Sequence, residues 1–563
     1  MGELSLLSAQ EHASLSHLPV VQHAGDSVLD LLLPRCEVYA EQPAVHCHSK
    51  QLSYAELNAR SWQLARYLKD NGVSTGTVVG VCLPRNEALL VSLLAVWKAG
   101  GVYVPVDPAY PTSRIDYMVA DSGMTILLSQ SDVTAVTGMT GLLHVDDVAP
   151  EVSDTPFALS TQAGDTAYMI YTSGTSGQPK GVRVAHHQLL QTLSSVNEVM
   201  GVTAQDRMAA LASHAFDISL LELLLPLLNG ASVELVAQET IRDVAQLASH
   251  CQQVSILHAV PGLMKSWLEQ VTIAEQAYPA LRYLLVGGEA VPAELIYALQ
   301  ARFPAVEIIE FYGPTENTIV SSYHRKPRDG QLLGHCIGET FAHVQAYVVD
   351  RQGQLCVPGA VGELYLGGYG VSQGYHQREE LSSEVFIADT FSARTGGRLY
   401  RTGDLVRRLV DGTLLYLGRA DKQMKLRGYR VEPGEIESAL LSVAEVEDAV
   451  VFAEDSADGE SALVACLVSH SPEGLEGQCR EALTSVLPGY MIPARYLVLE
   501  ALPRTSHGKL DNAELRRLVQ ANAASVEYVA PESELEVAIA QMWSSLLGRE
   551  RVSLTDNFFN LGG

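Results

Sequence analysis

Short runs of Val, Leu and Ile alternate along this chain with longer stretches whose apolar positions recur every three to four residues. A helical stretch begins at Ala55, where AELNARSWQLARYLKDNG sets Leu57, Leu64, Tyr67 and Leu68 on one face and stops at Asn71-Gly72. VVGVCL then reads as a strand, ALLVSLLAVWKAG as a helix and TILLS as a strand. The alternation recurs around VELVA, SILHAV, YLLVGG and VEIIEFYG, which predicts α/β layers with largely parallel strands. From about Gly338 the texture changes to glycine-punctuated strands (AYVVD, GELYLGG, TLLYLGR), predicting an antiparallel, β-barrel-like piece. A second α/β stretch runs from about Lys422 to Ala523. After Pro531, Ser533 to Glu536 reads as a capping box. It opens a helix with Leu535, Ile539, Met542, Trp543 and Leu546 on its apolar face, ending at Gly548.

A chain of 563 residues, 47% hydrophobic and 18% charged, predicts more than one domain with large cores. The net charge of −27 argues against a nucleic-acid surface, which needs clustered Lys and Arg, but not against ATP, whose site needs only a few local cations. The longest apolar stretch, Ala88 to Trp97, is too short to cross a bilayer. The opening MGELSLLSAQEH carries Glu early and no basic start, unlike a signal peptide. Cysteines 36, 47, 82, 251, 336, 356, 466 and 479 lie far apart with no CxxC, so neither a zinc site nor a disulfide framework is predicted. These features predict a reduced, cytoplasmic protein.

The densest chemical signal is YTSGTSGQPKGV, Tyr171 to Val182, preceded by the apolar run Ala167 to Ile170. A strand feeding a loop rich in Ser, Thr and Gly offers free N–H groups and hydroxyls around one cation, Lys180, an arrangement suited to polyphosphate. The spacing is wrong for a kinase-type P-loop, and Gly181 stands where that loop has its Mg-binding hydroxyl.

Further motifs follow in fixed order: LSYAELN from Leu52, LAVWKAGGVYVPVDPAYP from Leu94, FDISLLE from Phe216, YGPTE from Tyr312, GELYLGG from Gly362 and YRTGD from Tyr400. GRADKQMKLRGYRVEPGEIE from Gly418, LPGYMIP from Leu487 and HGKLD from His507 complete the set. Together with the phosphate loop they resemble an adenylation domain of the nonribosomal peptide synthetases, in the adenylate-forming superfamily, over roughly residues 25 to 525. The resemblance implies a linker (1–24), a large N-terminal core of α/β layers with the barrel-like piece (25–420), a small α+β C-terminal subdomain (421–525) and a linker with the start of a carrier domain (526–563). It implies ATP- and Mg²⁺-dependent joining of an amino-acid carboxylate to the α-phosphate, then transfer to a phosphopantetheine thiol. Catalysis there should be positioning and charge neutralisation.

By the same resemblance, Thr172, Ser173, Gly174, Thr175, Ser176, Gly177 and Lys180 clamp the phosphates. Gly288, Glu310, Tyr312, Gly313, Asp404 and Arg419 hold the nucleoside. Tyr312 stacks on adenine, and Asp404 accepts the ribose hydroxyls, a task for a carboxylate. Thr315 and Lys509 act on the reacting groups, Glu316 holds Mg²⁺, and Asp421 is the hinge. Read without that context, YGPTE is a Gly-Pro turn and Gly403-Asp404 a hairpin turn. Two departures stand out. Glu310 replaces the Asn that faces the adenine amino group in many relatives, and His507 and Asn512 flank a Lys509 motif usually bounded by Asn and Arg.

Asp217 reads from pattern as a helix N-cap and from resemblance as the partner of the substrate ammonium. The resemblance lines the amino-acid pocket with Asp217, Ile218, Leu221, His258, Leu285, Gly287, Phe311, Ile319 and Val320, with Lys509 at its mouth. That wall has one imidazole and no second charged group, so charged side chains are disfavoured. His258 is either a satisfied core histidine or the partner of a substrate hydroxyl. The set resembles glycine-type pockets and hydroxyphenylglycine-type pockets alike. Rival readings are an acyl- or aryl-CoA ligase of the same superfamily and a non-catalytic module, opposed by Asp217 and by the presence of Thr315, Glu316, Asp404 and Lys509 respectively. DNFFNLGG from Asp556 resembles the approach to a carrier motif whose phosphopantetheine serine is absent here, so the chain is expected to need a separate carrier domain. An upstream condensation domain and an MbtH-like protein are further partners the resemblance implies.

Overall fold

The computed structural model describes residues 25–48, 50–133, 141–149, 151–174, 177–273, 277–328, 334–392, 394–455, 461–505, 509–525, 529–546 and 551–554. The expected 1–24 linker, Thr175, Ser176, His507 and the DNFFNLGG segment lie outside them. Two compact units emerge: one of residues 1–110, 115–172 and 180–421, the other of 111–114, 173–179 and 422–563.

The larger unit is built on two sheets. Parallel strands Arg207–Ala210, Ser232–Leu235, Ile256–Ala259, Tyr283–Gly287 and Glu307–Tyr312 form the middle of the first. Their side chains alternate between two cores. Met208, Ile256, Leu285, Ile309 and Phe311 join one cluster with the helices Tyr54–Asp70, Glu87–Ala99, His186–Met200 and Ile218–Leu228. Ala209, Leu257, Leu284, Val286 and Ile308 join another around Trp267 and Phe303. Burial on both faces explains why these strands read as continuous apolar runs.

The glycine-punctuated strands are not a detached piece. Cys336–Thr340 pairs with Ser322–Arg325, which pairs with Glu307–Tyr312, so the antiparallel strands extend the parallel sheet without a break. Gly338 lies inside a strand rather than at a boundary. The helix expected from Ala55 spans Tyr54–Asp70, opened by Ser53, whose hydroxyl accepts from the Glu56 N–H at 3.2 Å while its own N–H donates to the Glu56 carboxylate at 2.8 Å.

The second unit is α+β. Its three-stranded sheet (Asp448–Asp455, Ser461–Val468, Arg495–Leu499) is covered by helices Pro433–Leu440, Leu475–Val486 and Asn512–Ser525. The helix expected after Pro531 spans Glu534–Leu546, with Ser533 and Glu536 exchanging cap bonds at 2.8 and 3.2 Å. All eight cysteines are unpaired, and among the described residues no helix is long and apolar enough to cross a membrane.

Candidate active site

Strand Thr166–Thr172 is followed by strand Lys180–Ala185, paired antiparallel with Thr172 opposite Lys180. The phosphate-loop sequence therefore closes a hairpin. No helix N-terminus follows directly, so amides, hydroxyls and Lys180 are what it offers an anion. The Thr172 hydroxyl is buried without a hydrogen-bond partner. Lys180, also buried, sets its ammonium 4.3 Å from the centre of the Tyr375 ring. The Tyr375 hydroxyl donates to Glu316 Oε1 at 2.8 Å, and Glu316 is wholly buried. Ser173, Gly174 and Gly177 belong to the second unit. There the Ser173 hydroxyl donates to the Arg430 carbonyl at 2.9 Å. The Gly174 N–H reaches Glu435, itself paired with Arg114 at 2.8 Å.

Tyr312 ends its strand, and Thr315 and Glu316 lie on the single turn Thr315–Asn317. Gly313 is required because a Cβ there would stand 2.4 Å from the Ile319 carbonyl. Thr318 and Ile319 both have positive φ, +56° and +68°, a strained conformation for β-branched residues. The turn is held by the Thr318 hydroxyl donating to the Gly370 carbonyl at 2.6 Å and the Asn317 amide donating to Ser321 at 2.8 Å.

The Tyr312 hydroxyl donates to Asp404, whose other oxygen accepts from Arg419 at 2.8 Å. Arg419 also grips Asp421 with two bonds of 2.7 Å. The hairpin-turn reading of Gly403-Asp404 is overturned. Both lie inside the strand Arg398–Arg408, where Gly403 adopts φ +74° and the ladder is irregular nearby. A bulge, not a chain reversal, needed the glycine. Gly288 follows its strand at φ +89°. Glu310 forms a buried ion pair with Lys326, whose ammonium lies 3.0 Å from His324 Nδ1. Burial, more than Lys326 offsets, raises the Glu310 carboxyl above its ordinary value, while burial and Lys326 push His324 down to about 4.

Asp217 precedes the helix Ile218–Leu228, but its backbone is already helical (φ −63°, ψ −31°) and its side chain makes no cap bond. The N-cap reading is corrected on that geometry. Its Oδ2 is buried without a hydrogen-bond partner. Burial pushes the carboxyl up to about 6, with the Thr315 hydroxyl and the Ile218 and Ile319 backbone opposing the rise and the Glu316 charge adding to it. The buried Tyr168 hydroxyl, also unpartnered, feels the Asp217 charge.

His258 stands opposite Leu285 in the parallel ladder, and Gly287 opposite Phe311. The two-residue alternation puts all four on one face, at the carboxyl ends of the strands, where open α/β sheets bind ligands. A Cβ at Gly287 would stand 2.5 Å from the Phe311 carbonyl. Leu221, Ile319 and Val320 are buried in the same cluster, with Ile218 packed against it. His258 Nδ1 bonds Glu222 at 2.7 Å, so a buried carboxylate stands behind a wall expected to hold no second charge. Glu222 was legible as an oddity, one acid in the otherwise apolar helix ISLLELLLPLL. Tyr375 and Lys326 carried no comparable signal. Lys509 is exposed in the second unit, its carbonyl accepting from the Thr505 N–H at 2.7 Å.

The profile of the AMP-binding enzyme family matches residues 34–376, and that of the AMP-binding enzyme C-terminal domain matches 435–509. The chain belongs to the AMP-binding enzyme family. Within it the chain is an adenylate-forming ligase of the nonribosomal peptide synthetase adenylation type. Tyrocidine synthase 3 of Brevibacillus parabrevis is 37% identical over 581 residues, covering 100% of this chain and 9% of that protein. A four-domain nonribosomal peptide synthetase bound to AMP and glycine is 31% identical, with a TM-score of 0.66 over 100% of this chain and 42% of that one. An NRPS protein containing adenylation and PCP domains is 25% identical, with a TM-score of 0.79 over 98% of this chain and 90% of that one. The chain thus spans only about a tenth of the first curated relative's length.

Proposed function

We propose that this chain activates an uncharged α-amino acid as its aminoacyl-AMP and passes it to the phosphopantetheine thiol of a carrier domain. The observation that carries this reading is Asp217 Oδ2, a buried carboxylate oxygen with no partner at the carboxyl end of the parallel sheet. A substrate ammonium supplies the charge that such a group lacks. Thr315 and Glu316, which act on Asp217, lie on the turn after Tyr312.

In the proposed reaction a carboxylate oxygen bonds to the α-phosphorus and the bond to the bridging β-phosphate oxygen breaks, releasing pyrophosphate. Lys180 and the hairpin hydroxyls neutralise the leaving group, Lys509 the developing charge at the reacting oxygens, and Asp404 with Arg419 orients the ribose. Glu316 fits Mg²⁺, which takes one or two carboxylates and completes its shell with water and phosphate. Its carboxylate is buried and oriented by Tyr375. Held by Glu316, the ion would supply positive charge to offset the negative charge of the phosphates. Glu310 accepts the adenine amino group while Lys326 balances its charge. The thiol sulfur then bonds to the acyl carbon, AMP departs, and the thiol proton goes to solvent. Asp421 serves as hinge, an assignment supported by the division of the chain between Asp421 and Lys422.

The aliphatic wall favours a small, glycine-like side chain or a hydroxyphenylglycine-like one. Glycine gains support from the relative bound to AMP and glycine, and the hydroxylated ring from His258. The carrier domain, an upstream condensation domain and an MbtH-like protein are the proposed partners, and the cytoplasm the proposed location. ATP–pyrophosphate exchange across the amino acids, with acyl and aryl acids as controls, tests the proposal. Exchange with acids lacking an amino group, or with none, would overturn it.

A further inference from the structure

The helix Ile218–Leu228 buries ten of its eleven residues, and Glu222 is the charged group among them. Its carboxylate is saturated in an ordered way. Oε2 accepts the N–H groups of Leu211 and Ala212 at 2.8 and 2.9 Å, and Oε1 meets His258 Nδ1 at 2.7 Å. Arg85, buried nearby and feeling the Glu222 charge, donates to the carbonyls of Ala210, Ala212 and Val236, bracing the segment that carries those two amides. Such a carboxylate only accepts, so the imidazole proton sits on Nδ1. In the neutral ring the other nitrogen, Nε2, is then a lone-pair acceptor, free of the bond to Glu222, which Nδ1 makes.

We propose that Glu222 is a positioning residue that locks His258 as a hydrogen-bond acceptor, so that the pocket selects an amino acid whose side chain ends in a hydroxyl. The inference rests on the adenylation reading and on the pocket placed there. With Asp217 given to the ammonium in the adenylation reading, the other wall residues (Leu221, Leu285, Phe311, Ile319, Val320) are apolar, so among these described residues Nε2 is the acceptor left for a substrate tip. A hydroxyl satisfies Nε2. A methyl or ring edge leaves it buried and unpaired, a loss that typically costs about 10- to 100-fold.

The test is pyrophosphate exchange at pH 8 with matched pairs: 4-hydroxyphenylglycine and phenylglycine, tyrosine and phenylalanine, threonine and valine, serine and alanine. In the unaltered protein the hydroxylated member of the best pair is expected to lead by about 10- to 100-fold in kcat/KM. His258→Leu should collapse that ratio toward one. Glu222→Gln, which places an amide N–H₂ among N–H donors, should lower it through KM for the hydroxylated member. The ratio within one protein is insensitive to partial loss of folded enzyme, and the unaltered chain alone tests the preference should a variant fail to fold. A preference for glycine or for the deoxy members, or ratios unmoved in both variants, would overturn the inference while leaving adenylation intact. Exchange with no amino acid would overturn both.

Discussion

Replacing Asp217 by Asn removes one charge without changing shape, and its consequences run in two directions. The carboxyl sits at about 6 instead of its ordinary 3.8 because burial disfavours the ion, corresponding to about 3 kcal/mol held against the charged form. A folded value raised above the unfolded one means that the native state binds the proton more tightly. Its stabilising contribution is therefore complete below pH 3.8 and lost as pH rises through 6. Without substrate at pH 7.5, Asp217→Asn should melt higher than the parent, by at most the equivalent of ~3 kcal/mol, and the gap should close toward pH 4. With substrate the order reverses, because the ammonium needs the ion. The amino-acid KM of the parent should rise about tenfold per pH unit below 6, whereas that of Asp217→Asn should be higher at neutral pH by about 10- to 100-fold and flat with pH. Pyrophosphate exchange at saturating ATP from pH 5 to 8, paired with thermal melts with and without amino acid, measures both. A parental KM unchanged across pH 6, together with a variant that melts no higher, would refute the reasoning.

Lys509→Ala should lose roughly 10²–10³ in acyl-adenylate formation, measured by exchange, while transfer from preformed adenylate to a carrier thiol survives; near-normal adenylation would remove the assignment. Asp421→Pro restricts backbone rotation and should slow thiol transfer, followed by carrier loading, more than adenylation; equal effects on both count against the hinge. Tyr375→Phe removes the hydroxyl that donates to Glu316, and calorimetric Mg²⁺ titration of the ATP-bound protein should show about 10- to 100-fold weaker binding; unchanged affinity would detach Tyr375 from the metal site. Lys326→Met leaves the buried Glu310 carboxylate uncompensated and should cost about 3–5 kcal/mol, read as a lowered melting temperature; the double variant with Glu310→Gln should recover much of that loss.

The elements were legible where the pattern is local. The helix over Tyr54–Asp70 shows its apolar face and its stop within the eighteen residues Ala55 to Gly72. The runs YLLVGG and VEIIEFYG mark doubly buried parallel strands for the same reason. What stayed hidden depends on partners distant in the chain. That Cys336–Thr340 continues the parallel sheet is decided by pairing with Ser322–Arg325, not by its own composition. Gly403 looks like a turn until strands on both sides show it to be a bulge. Asp217 has the residue type of a cap, and only the backbone angles deny it. Lys326 meets Glu310 across an antiparallel pair, and Glu222 meets His258 from a helix to a strand 36 residues away, so neither pairing has a sequence period.

The strand Glu307–Tyr312 is the seam at which the large sheet turns from parallel to antiparallel neighbours. Its alternation sends Phe311 toward Gly287 on one face and Glu310 and Tyr312 to the other, where they meet Lys326 and Asp404. In the proposed assignment, one stretch of three residues addresses the amino acid and the nucleotide from opposite sides of a single backbone. The two recognition problems are thereby uncoupled. Side chains on the Phe311 face can be exchanged to admit a different acid while the nucleotide contacts stay in register, whereas inserting or deleting one residue here would interchange the two faces. A scaffold partitioned in this way can diversify its cargo by point substitution and keep its fuel unchanged.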